Sequence, residues 1–247
     1  MSTDTLAIID LGTNTFHLLI VEIDDRDDYR ITDKHKEPVK LGEGGITAGK
    51  IGEKAFSRGI KALKKFRKLI DSHHAGEVKA FATSAIRGAS NGQAFLKAAR
   101  KEAGIDIKII NGNEEASLIF EGVRNGVQLP VDENALIMDI GGGSVEFIVS
   151  RDGQAQLLRS LNLGAARLLE MANPSEPITP SEIKHVERVI FEQAGGLLDE
   201  LKEFNLKYIV GSSGTFETVG AIVAHKNNDH LSSENLNSYR FSAKEFL

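Results

Sequence analysis

A short segment that occurs twice constrains the fold of this 247-residue chain more than any other sequence feature. Residues 8–20 (IIDLGTNTFHLLI) match residues 137–149 (IMDIGGGSVEFIV). The copies share apolar flanks and an Asp-x-Gly turn, and the aligned pairs are Asp10 with Asp139, Gly12 with Gly141, and Thr15 with Ser144. An offset of 129 residues is far longer than a solenoid repeat, so the sequence predicts two related domains.

The segments that follow each copy also repeat. A β-rich run (6–23 or 135–150) precedes a further strand that ends in Leu-Gly, at residues 41–42 and 163–164. Hydrophobic spacing then alternates between helices and strands. Helices are predicted around 56–70, 91–103, 114–127, 183–204 and 216–224, and strands at 78–85, 105–110 and 208–211. This order is typical of an α/β protein whose helices pack on mixed sheets.

A break in this pattern marks the predicted domain boundary. The interrupting residues are Gly126, Pro130 and Asp132. We therefore expect one domain over 1–127 and a second over 128–247.

The C-terminus shows a further irregularity. Ser242 and Glu245 form a capping box, which predicts a helix that begins close to the last residue. The second copy also lacks a counterpart of the first copy's final strand and helix. Our hypothesis is that the second domain is truncated at its C-terminus.

Composition excludes several classes of function. Lys and Arg total 30 and Asp and Glu total 35, and this acidic balance argues against a nucleic-acid partner. No apolar run approaches the ~18 residues of a membrane span, and no basic segment precedes an apolar stretch at the N-terminus. The absence of cysteine excludes disulfides and thiolate chemistry. We expect a cytoplasmic protein that binds neither nucleic acid nor a membrane.

Three glycine-rich turns are candidate anion sites, because such turns expose backbone N–H groups and let a phosphate approach closely. Two of them follow the repeated aspartates, and the third opens a predicted helix. Their residues are Gly12, Thr13, Asn14, Gly141, Gly142, Gly143, Ser144, Ser213, Gly214 and Thr215. The alternatives are tight hairpins that need positive φ angles, and a helix N-cap formed by Ser213 or Thr215.

Acidic residues suggest where a metal ion or a general base could lie. Asp139 and Glu146 fall on adjacent strands of a predicted hairpin, where their oxygens could hold a hard cation such as Mg²⁺. Glu114 and Glu115 lie at a helix start. There they could complement the helix dipole or supply a general base, and the residues alone favour the dipole.

Two basic motifs complete the candidate set. Arg87 follows a predicted strand end, where it could bind phosphate or simply face solvent. Residues 44–50 fit G-x-x-x-x-G-K, but Ile51 stands where the Mg²⁺-binding Ser or Thr of a nucleotide-binding P-loop belongs. A P-loop is therefore not supported.

Together these motifs resemble the exopolyphosphatase/guanosine pentaphosphate phosphohydrolase (Ppx/GppA) family, within the sugar kinase–actin–heat-shock chaperone superfamily. The matching segments are 8–19 (IIDLGTNTFHLL), 81–89 (FATSAIRGA), 109–123 (IINGNEEASLIFEGV), 137–147 (IMDIGGGSVEF), 161–168 (LNLGAARL) and 208–215 (YIVGSSGT). The pair of Asn-Glu-Glu-Ala and Asp-x-Gly-Gly-Gly-Ser-x-Glu is specific to this family, whereas the Asp-x-Gly turns indicate only the superfamily.

The resemblance implies two duplicated ribonuclease-H-like (actin-like ATPase) domains with a cleft between them. It implies that Glu115 is the catalytic base, that Arg87 binds phosphate, and that Asp139 and Glu146 hold the metal. It assigns phosphate binding to the three glycine-rich turns. His17 replaces an arginine found in many members, which leaves the choice of substrate open.

The predicted function is Mg²⁺-assisted release of terminal orthophosphate from inorganic polyphosphate, guanosine pentaphosphate, or both. Two alternatives remain: an ATP-dependent small-molecule kinase or ATPase of the same superfamily, and a non-catalytic sensor of guanosine tetra- or pentaphosphate. The sequence also leaves the oligomeric state open, with a homodimer among the alternatives.

Overall fold

The computed structural model describes residues 4–26, 28–227 and 238–246. Its first sheet contains β1 (Asp4–Leu11), β2 (Thr15–Ile23), β3 (Tyr29–Pro38), β4 (Glu77–Ala82) and β5 (Ile107–Ile109), in the order β3-β2-β1-β4-β5. Strands β1, β2 and β3 pair antiparallel, whereas β4 and β5 add in parallel. The helices between these strands are α1 (Glu53–Ser72), α2 (Ser84–Arg87) and α3 (Gly92–Ala103). We call this sheet with α1–α3 the first lobe.

Helices α1 and α3 pack on this sheet with apolar residues at helical spacing. Leu63, Phe66 and Ile70 of α1 are fully buried in one cluster with Phe95 of α3. A Cβ added at Gly59 would lie 2.8 Å from the Phe95 ring. Glycine inside a helix costs about 1 kcal/mol of propensity, and here it lets the two helices approach closely.

The second sheet repeats this plan. It contains β6 (Ala135–Ile140), β7 (Val145–Arg151), β8 (Gln154–Leu161) and β9 (Tyr208–Ser212), in the order β8-β7-β6-β9. Strand β6 pairs antiparallel with β7 and parallel with β9, as β1 does with β2 and β4. Its helices are α5 (Ala165–Ala172), α6 (Pro180–Lys202) and α7 (Ser213–Lys226). The predicted fold class, two duplicated ribonuclease-H-like units, is confirmed.

Helix α4 (Gly112–Gly126) follows β5 in the chain but packs on the second sheet. Its buried residues Ala116 and Phe120 form one cluster with Ile137 of β6 and Ile148 of β7. The second lobe, as we define it, therefore comprises this sheet with α4–α7. A boundary at residue 127 stays a prediction, and the helix before it belongs to the core of the second sheet.

The predicted strand over 78–85 is too long. Strand β4 ends at Ala82, and the next residues turn into helix α2, in which the backbone N–H of Arg87 donates to the Thr83 carbonyl at 2.9 Å. The strand predicted at 105–110 is likewise reduced to β5. The apolar residues of both segments that lie outside the strands are buried, although they do not pair in a sheet.

The two Leu-Gly pairs lie beyond the strands that were predicted to contain them. Strand β3 ends at Pro38, and the backbone N–H of Leu41 donates instead to the Thr13 carbonyl at 2.7 Å. Strand β8 ends at Leu161, before Gly164. Each Leu-Gly pair therefore belongs to the loop that contacts a glycine-rich turn.

The capping box at the C-terminus is confirmed. The backbone N–H of Glu245 donates to Ser242 Oγ at 3.2 Å, and α8 (Ala243–Phe246) begins there. Leu247 lies outside the described residues. Within the described part of the chain, no helix is long and apolar enough to cross a membrane.

Because α4 buries one face on the second sheet, truncating a side chain on that face should destabilise the protein more than truncating one on the exposed face. We expect Phe120→Ala to lower the free energy of unfolding by about 3–5 kcal/mol, because it leaves a cavity in the cluster with Ile137 and Ile148. Leu118 on the same helix is 52% exposed, and Leu118→Ala should cost less than about 1 kcal/mol. Urea unfolding measures both, and equal losses would contradict the assigned packing.

Candidate active site

The β1–β2 and β6–β7 turns meet where the two lobes join. A Cβ added at Gly143 would collide with Thr13 Oγ1 and lie 2.7 Å from Ser84 Oγ. A Cβ added at Gly142 would lie 2.9 Å from the Asn14 side chain. Only glycine lets the second turn approach these side chains so closely, so the repeated turns form one of the contacts between the lobes.

The alternative interpretation, in which these glycines need positive φ angles, is contradicted by the structure. The described glycines with positive φ are Gly44, Gly49, Gly104 and Gly153, none of which lies in a repeated turn. Glycine is required at these turns because another chain segment approaches, rather than because of local backbone strain.

Four carboxylates lie close enough at this junction to influence one another's protonation. They are Asp10, Glu115, Asp139 and Glu146. Asp139 and Glu146 are direct cross-strand partners, as predicted. Ser160 Oγ donates to Glu146 at 2.7 Å, and the hydroxyls of Ser212 and Ser213 bond to Asp139.

Burial raises the pKa of each of these groups. Loss of solvent and the neighbouring Glu115 charge raise the pKa of Glu146 to about 7. Burial, with Glu115 and Asp139 adding to it, raises the pKa of Asp10 to about 6. Both effects disfavour the charged forms, so these carboxylates lack enough compensating positive charge in the protein alone.

Glu115 and Arg87 form the ion pair of the site. Arg87 Nη1 donates to Glu115 Oε2 at 2.8 Å and to the Ile110 carbonyl at 3.0 Å. Burial raises the pKa of Glu115, and the Arg87 guanidinium acts in the opposite direction. The predicted strand-end arginine therefore faces the site, although it sits on α2 rather than directly after a strand.

The two glutamates at the start of α4 have different roles, which resolves their two interpretations. Glu114 forms the capping box with Asn111, whose side chain accepts from the Glu114 backbone N–H at 2.9 Å. Glu115, one residue later, points into the site. Dipole complementation thus applies to Glu114, whereas Glu115 lies where a general base would have to lie, and that role stays a prediction.

The third turn hydrogen-bonds to the end of β6, directly before the second turn. Ser213 Oγ and Thr215 Oγ1 donate to the Ile140 carbonyl at 2.8 and 3.0 Å, next to Gly141. The alternative of an N-cap formed by Ser213 or Thr215 is contradicted, because Ser212 is the N-cap of α7 and no side chain caps it. Gly214 has open space where a Cβ would stand.

Sequence reasoning gave no site role to four residues that the structure brings to the junction: Asp10, Ser84, Gly164 and Arg167. Asp10 could have been found from its alignment with Asp139. Gly164 was noted only as a strand end, yet a Cβ there would collide with Gly142 and Gly143. Ser84 Oγ is buried beside Gly143 and has no hydrogen-bond partner within the described chain.

The donor set fits a hard divalent cation that is shared with a ligand. Among residues 4–26, 28–227 and 238–246, no cluster of three or more acidic or histidine side chains is arranged to hold a metal by itself. Mg²⁺ typically binds one or two carboxylates and completes its shell with water and phosphate oxygens. The Asp139–Glu146 pair matches that pattern, and a cation there would offset the burial that raises the pKa of both groups.

The raised pKa of Glu146 predicts a pH-dependent stability. Between its ordinary value of 4.5 and about 7, the native state retains a proton that the unfolded chain has released, so unfolding free energy falls as pH rises. We expect Glu146→Gln to remove the part of this decline that Glu146 contributes and to stabilise the protein by up to about 3 kcal/mol at pH 8 without metal.

Denaturant unfolding at pH 4.5, 6 and 8 measures this effect. Asp25→Asn is the control, because Asp25 is exposed and its substitution removes the same charge. An unchanged pH dependence in Glu146→Gln would contradict the buried, charge-coupled position of this carboxyl group.

Comparisons with known proteins agree with the motifs. The model of the Ppx/GppA phosphatase family matches residues 19–246. An exopolyphosphatase from Cytophaga hutchinsonii is 36% identical with a TM-score of 0.92, and the match covers 98% of this chain and 77% of that chain. A Ppx/GppA family member from Aquifex aeolicus is 27% identical with a TM-score of 0.69, covering 94% and 72%.

A curated relative is much longer. The bifunctional 3-dehydroquinate synthase/phosphatase of Fusobacterium nucleatum is 39% identical over 171 residues, which cover 66% of this chain and 26% of that protein. This chain therefore spans about a quarter of the length of that relative. The family model nevertheless covers most of the chain and includes the acidic residues of the second turn. The resemblance predicted from the motifs is confirmed: the chain belongs to the Ppx/GppA phosphatase family.

Proposed function

We propose that this protein hydrolyses terminal phosphoanhydrides and releases orthophosphate from inorganic polyphosphate, guanosine pentaphosphate, or both. The observation that supports this most directly is the Arg87–Glu115 pair, held at 2.8 Å beside the glycine-rich turns of both lobes. A buried carboxylate next to an arginine and backbone N–H groups provides a base and an anion site in one place. Its family membership points to the same chemistry.

The ion pair explains how substrate would activate the base. Without substrate, the Arg87 guanidinium lowers the pKa of Glu115 against the effect of burial. A terminal phosphate would compete for Arg87, because a guanidinium binds phosphate oxygens as it binds carboxylates. Glu115 would then lose its counter-charge while it remains buried, and its affinity for a proton would rise. Glu115 would thus orient the attacking water and accept its proton.

The terminal phosphate would be held mainly by neutral donors. Backbone N–H groups of the Gly12–Asn14 and Gly141–Ser144 turns would bind its oxygens, as would those of Ser213–Thr215 at the start of α7. The unpartnered Ser84 hydroxyl, buried at the contact between the lobes, is a further donor for an oxygen that enters there. Net acidic charge is therefore compatible with a polyanionic substrate, since the site itself does not depend on surface charge.

Asp139 and Glu146 would hold Mg²⁺. When bound, this ion neutralises charge on the leaving phosphate chain. In its absence these carboxylates oppose the approach of a polyanion, so we expect substrate binding and metal binding to depend on each other.

The role of Glu115 predicts a clean separation of binding and catalysis. We expect Glu115→Gln to reduce phosphate release from polyphosphate by about 10²–10⁴-fold, because the amide cannot accept the proton of water. Binding of polyphosphate should persist within a few-fold. Glu114→Gln is the matched control, since the neighbouring residue caps the helix and should retain activity. Comparable turnover in Glu115→Gln and the parent would reject the assigned base.

The role of the metal pair predicts a dependence on added cation. We expect EDTA to abolish phosphate release and excess MgCl₂ to restore it. The assay compares long polyphosphate, short polyphosphate, guanosine pentaphosphate and ATP, each with and without Mg²⁺. Full release in EDTA would contradict metal assistance. Turnover of ATP alone would favour the kinase or ATPase alternative, and tight guanosine pentaphosphate binding without release would favour the sensor.

A further inference from the structure

Part of the loop between β3 and α1, residues 41–50, directs backbone N–H groups toward one anion. The loop contains the G-x-x-x-x-G-K sequence that does not complete a nucleotide-binding P-loop. Most of its N–H groups bond to carbonyls of the same loop or of Thr13, but those of Gly44, Gly45 and Thr47 bond to one carboxylate. Gly44 is left-handed, with φ of +66°, and such a residue turns neighbouring N–H groups toward one side, which is the geometry of an anion-binding nest. We call it the 41–50 nest.

An anion already occupies this nest. Both carboxylate oxygens of Glu170, on helix α5 of the second lobe, accept hydrogen bonds there. The Gly45 and Thr47 backbone N–H groups donate at 3.1 and 3.0 Å, and the Thr47 hydroxyl donates to the same carboxylate. Burial tends to raise the pKa of Glu170, but these donors outweigh it and lower the pKa.

The lysine of this motif is not part of the nest. Lys50 lines a separate cavity of about 570 Å³ between α1 and α3, together with Phe56 and Lys61. The nest therefore resembles a P-loop only in its backbone, and it binds its anion with N–H groups and one hydroxyl.

The nest lies next to the phosphate-binding turns. The backbone N–H groups of Leu41 and Gly42 donate to the Thr13 carbonyl at 2.7 and 3.3 Å. From the other lobe, the Arg167 guanidinium bridges the Gly143 carbonyl and the Ile46 carbonyl, each at 3.1 Å. One guanidinium group thus spans the distance between the second glycine turn and the nest.

Opening of the lobes would empty the nest. Helix α5 is fixed to the second glycine turn, since the backbone N–H groups of Ala165 and Ala166 donate to the Gly141 and Gly142 carbonyls at 2.9 Å. The turns of the two lobes are in contact at Gly143, so a phosphate can enter between them only when the lobes separate. That movement would carry α5 and Glu170 away from the first lobe.

We propose that the 41–50 nest is a second phosphate subsite, which Glu170 fills in the substrate-free protein and a further phosphate of the substrate chain fills when the lobes separate. Glu170 and the substrate then compete for the same donors. A phosphate group offers more oxygens and more negative charge than a carboxylate, so it is the stronger ligand for such an array. This inference rests on the proposed function, and it assigns the nest to an oligophosphate rather than to a single phosphate ion.

The test compares a ligand with one phosphate against a ligand with three. Orthophosphate and tripolyphosphate are titrated calorimetrically into the parent, Glu170→Gln and Glu187→Gln, each in the Glu115→Gln background to prevent turnover and with MgCl₂ present. Glu187 is the matched control, because it is an exposed glutamate on α6 with the same change of charge. We expect the ratio of tripolyphosphate affinity to orthophosphate affinity to rise at least fivefold in Glu170→Gln and to stay constant in Glu187→Gln.

Two further results separate the nest from a simple latch between the lobes. If Glu170 only held the lobes closed, its loss would improve the binding of both ligands equally, and an unchanged ratio overturns the proposal. Adding Thr47→Val to Glu170→Gln should reverse the gain for tripolyphosphate, because the nest loses its hydroxyl donor. Thermal unfolding confirms that each variant is folded.

The outcomes also distinguish this inference from the proposed function. A higher ratio in Glu170→Gln, combined with no phosphate release from any substrate in the parent, would support the subsite and reject the hydrolase. Phosphate release from polyphosphate with an unchanged ratio would retain the hydrolase and reject the subsite. Absence of tripolyphosphate binding in both the parent and Glu170→Gln would also reject the subsite.

Discussion

The close contact between two glycine-rich turns is the constraint on which the rest of this site depends. Because Gly143 has no side chain, its backbone reaches Thr13 and Ser84 of the other lobe. That contact brings together the ends of β1 and β6, which carry the equivalent aspartates Asp10 and Asp139. The duplicated sequence therefore produces a paired site from a single repeated turn, with one carboxylate from each copy.

Burial of these carboxylates costs free energy, and the same burial makes their protonation sensitive to bound ligands. Four carboxylates share a region from which solvent is largely excluded, so each favours its protonated form more than it would in water. Binding of a cation between the strands, or of a phosphate that engages Arg87, changes the balance in favour of the charged forms. The groups that weaken the protein by their burial are therefore the ones that would respond most strongly to metal and substrate.

Two helices connect the lobes through packing and hydrogen bonding. Helix α4 leaves the first lobe after β5, packs against β6 and β7, and presents Glu115 at its first turn. Helix α5 starts on the second glycine turn and reaches the 41–50 nest through Arg167 and Glu170. The proposed base and the proposed competitor of the substrate therefore both lie on the second lobe, so a separation of the lobes would displace both from the first glycine-rich turn and the nest.

The sequence by itself determined the repeated architecture, because period and motif are local properties of the chain. The aligned turns indicated two related α/β units, and the spacing of Asp139 and Glu146 on a hairpin placed them opposite each other, as the strand register shows. The sequence placed Glu114 and Glu115 at the start of a helix, and the structure shows that Glu114 forms a capping box there with Asn111. The family, the fold and the candidate catalytic residues were thus accessible from short segments.

Tertiary structure decided what depends on contacts between distant segments. The sequence left open whether these glycines need positive φ angles or admit a phosphate, and only the structure showed that Thr13, Asn14 and Ser84 pack directly against them. Helix α4 follows the last strand of the first sheet in the chain, yet it packs on the second sheet. Phe120 is buried there because a helix packs on the apolar surface available to it, and not necessarily on its neighbours in sequence. The 41–50 nest looked like an incomplete P-loop until Glu170, more than 120 residues away, was found to bond to it. Such long-range partners leave no signal in local sequence, since hydrogen bonds and charges act through space and not along the chain.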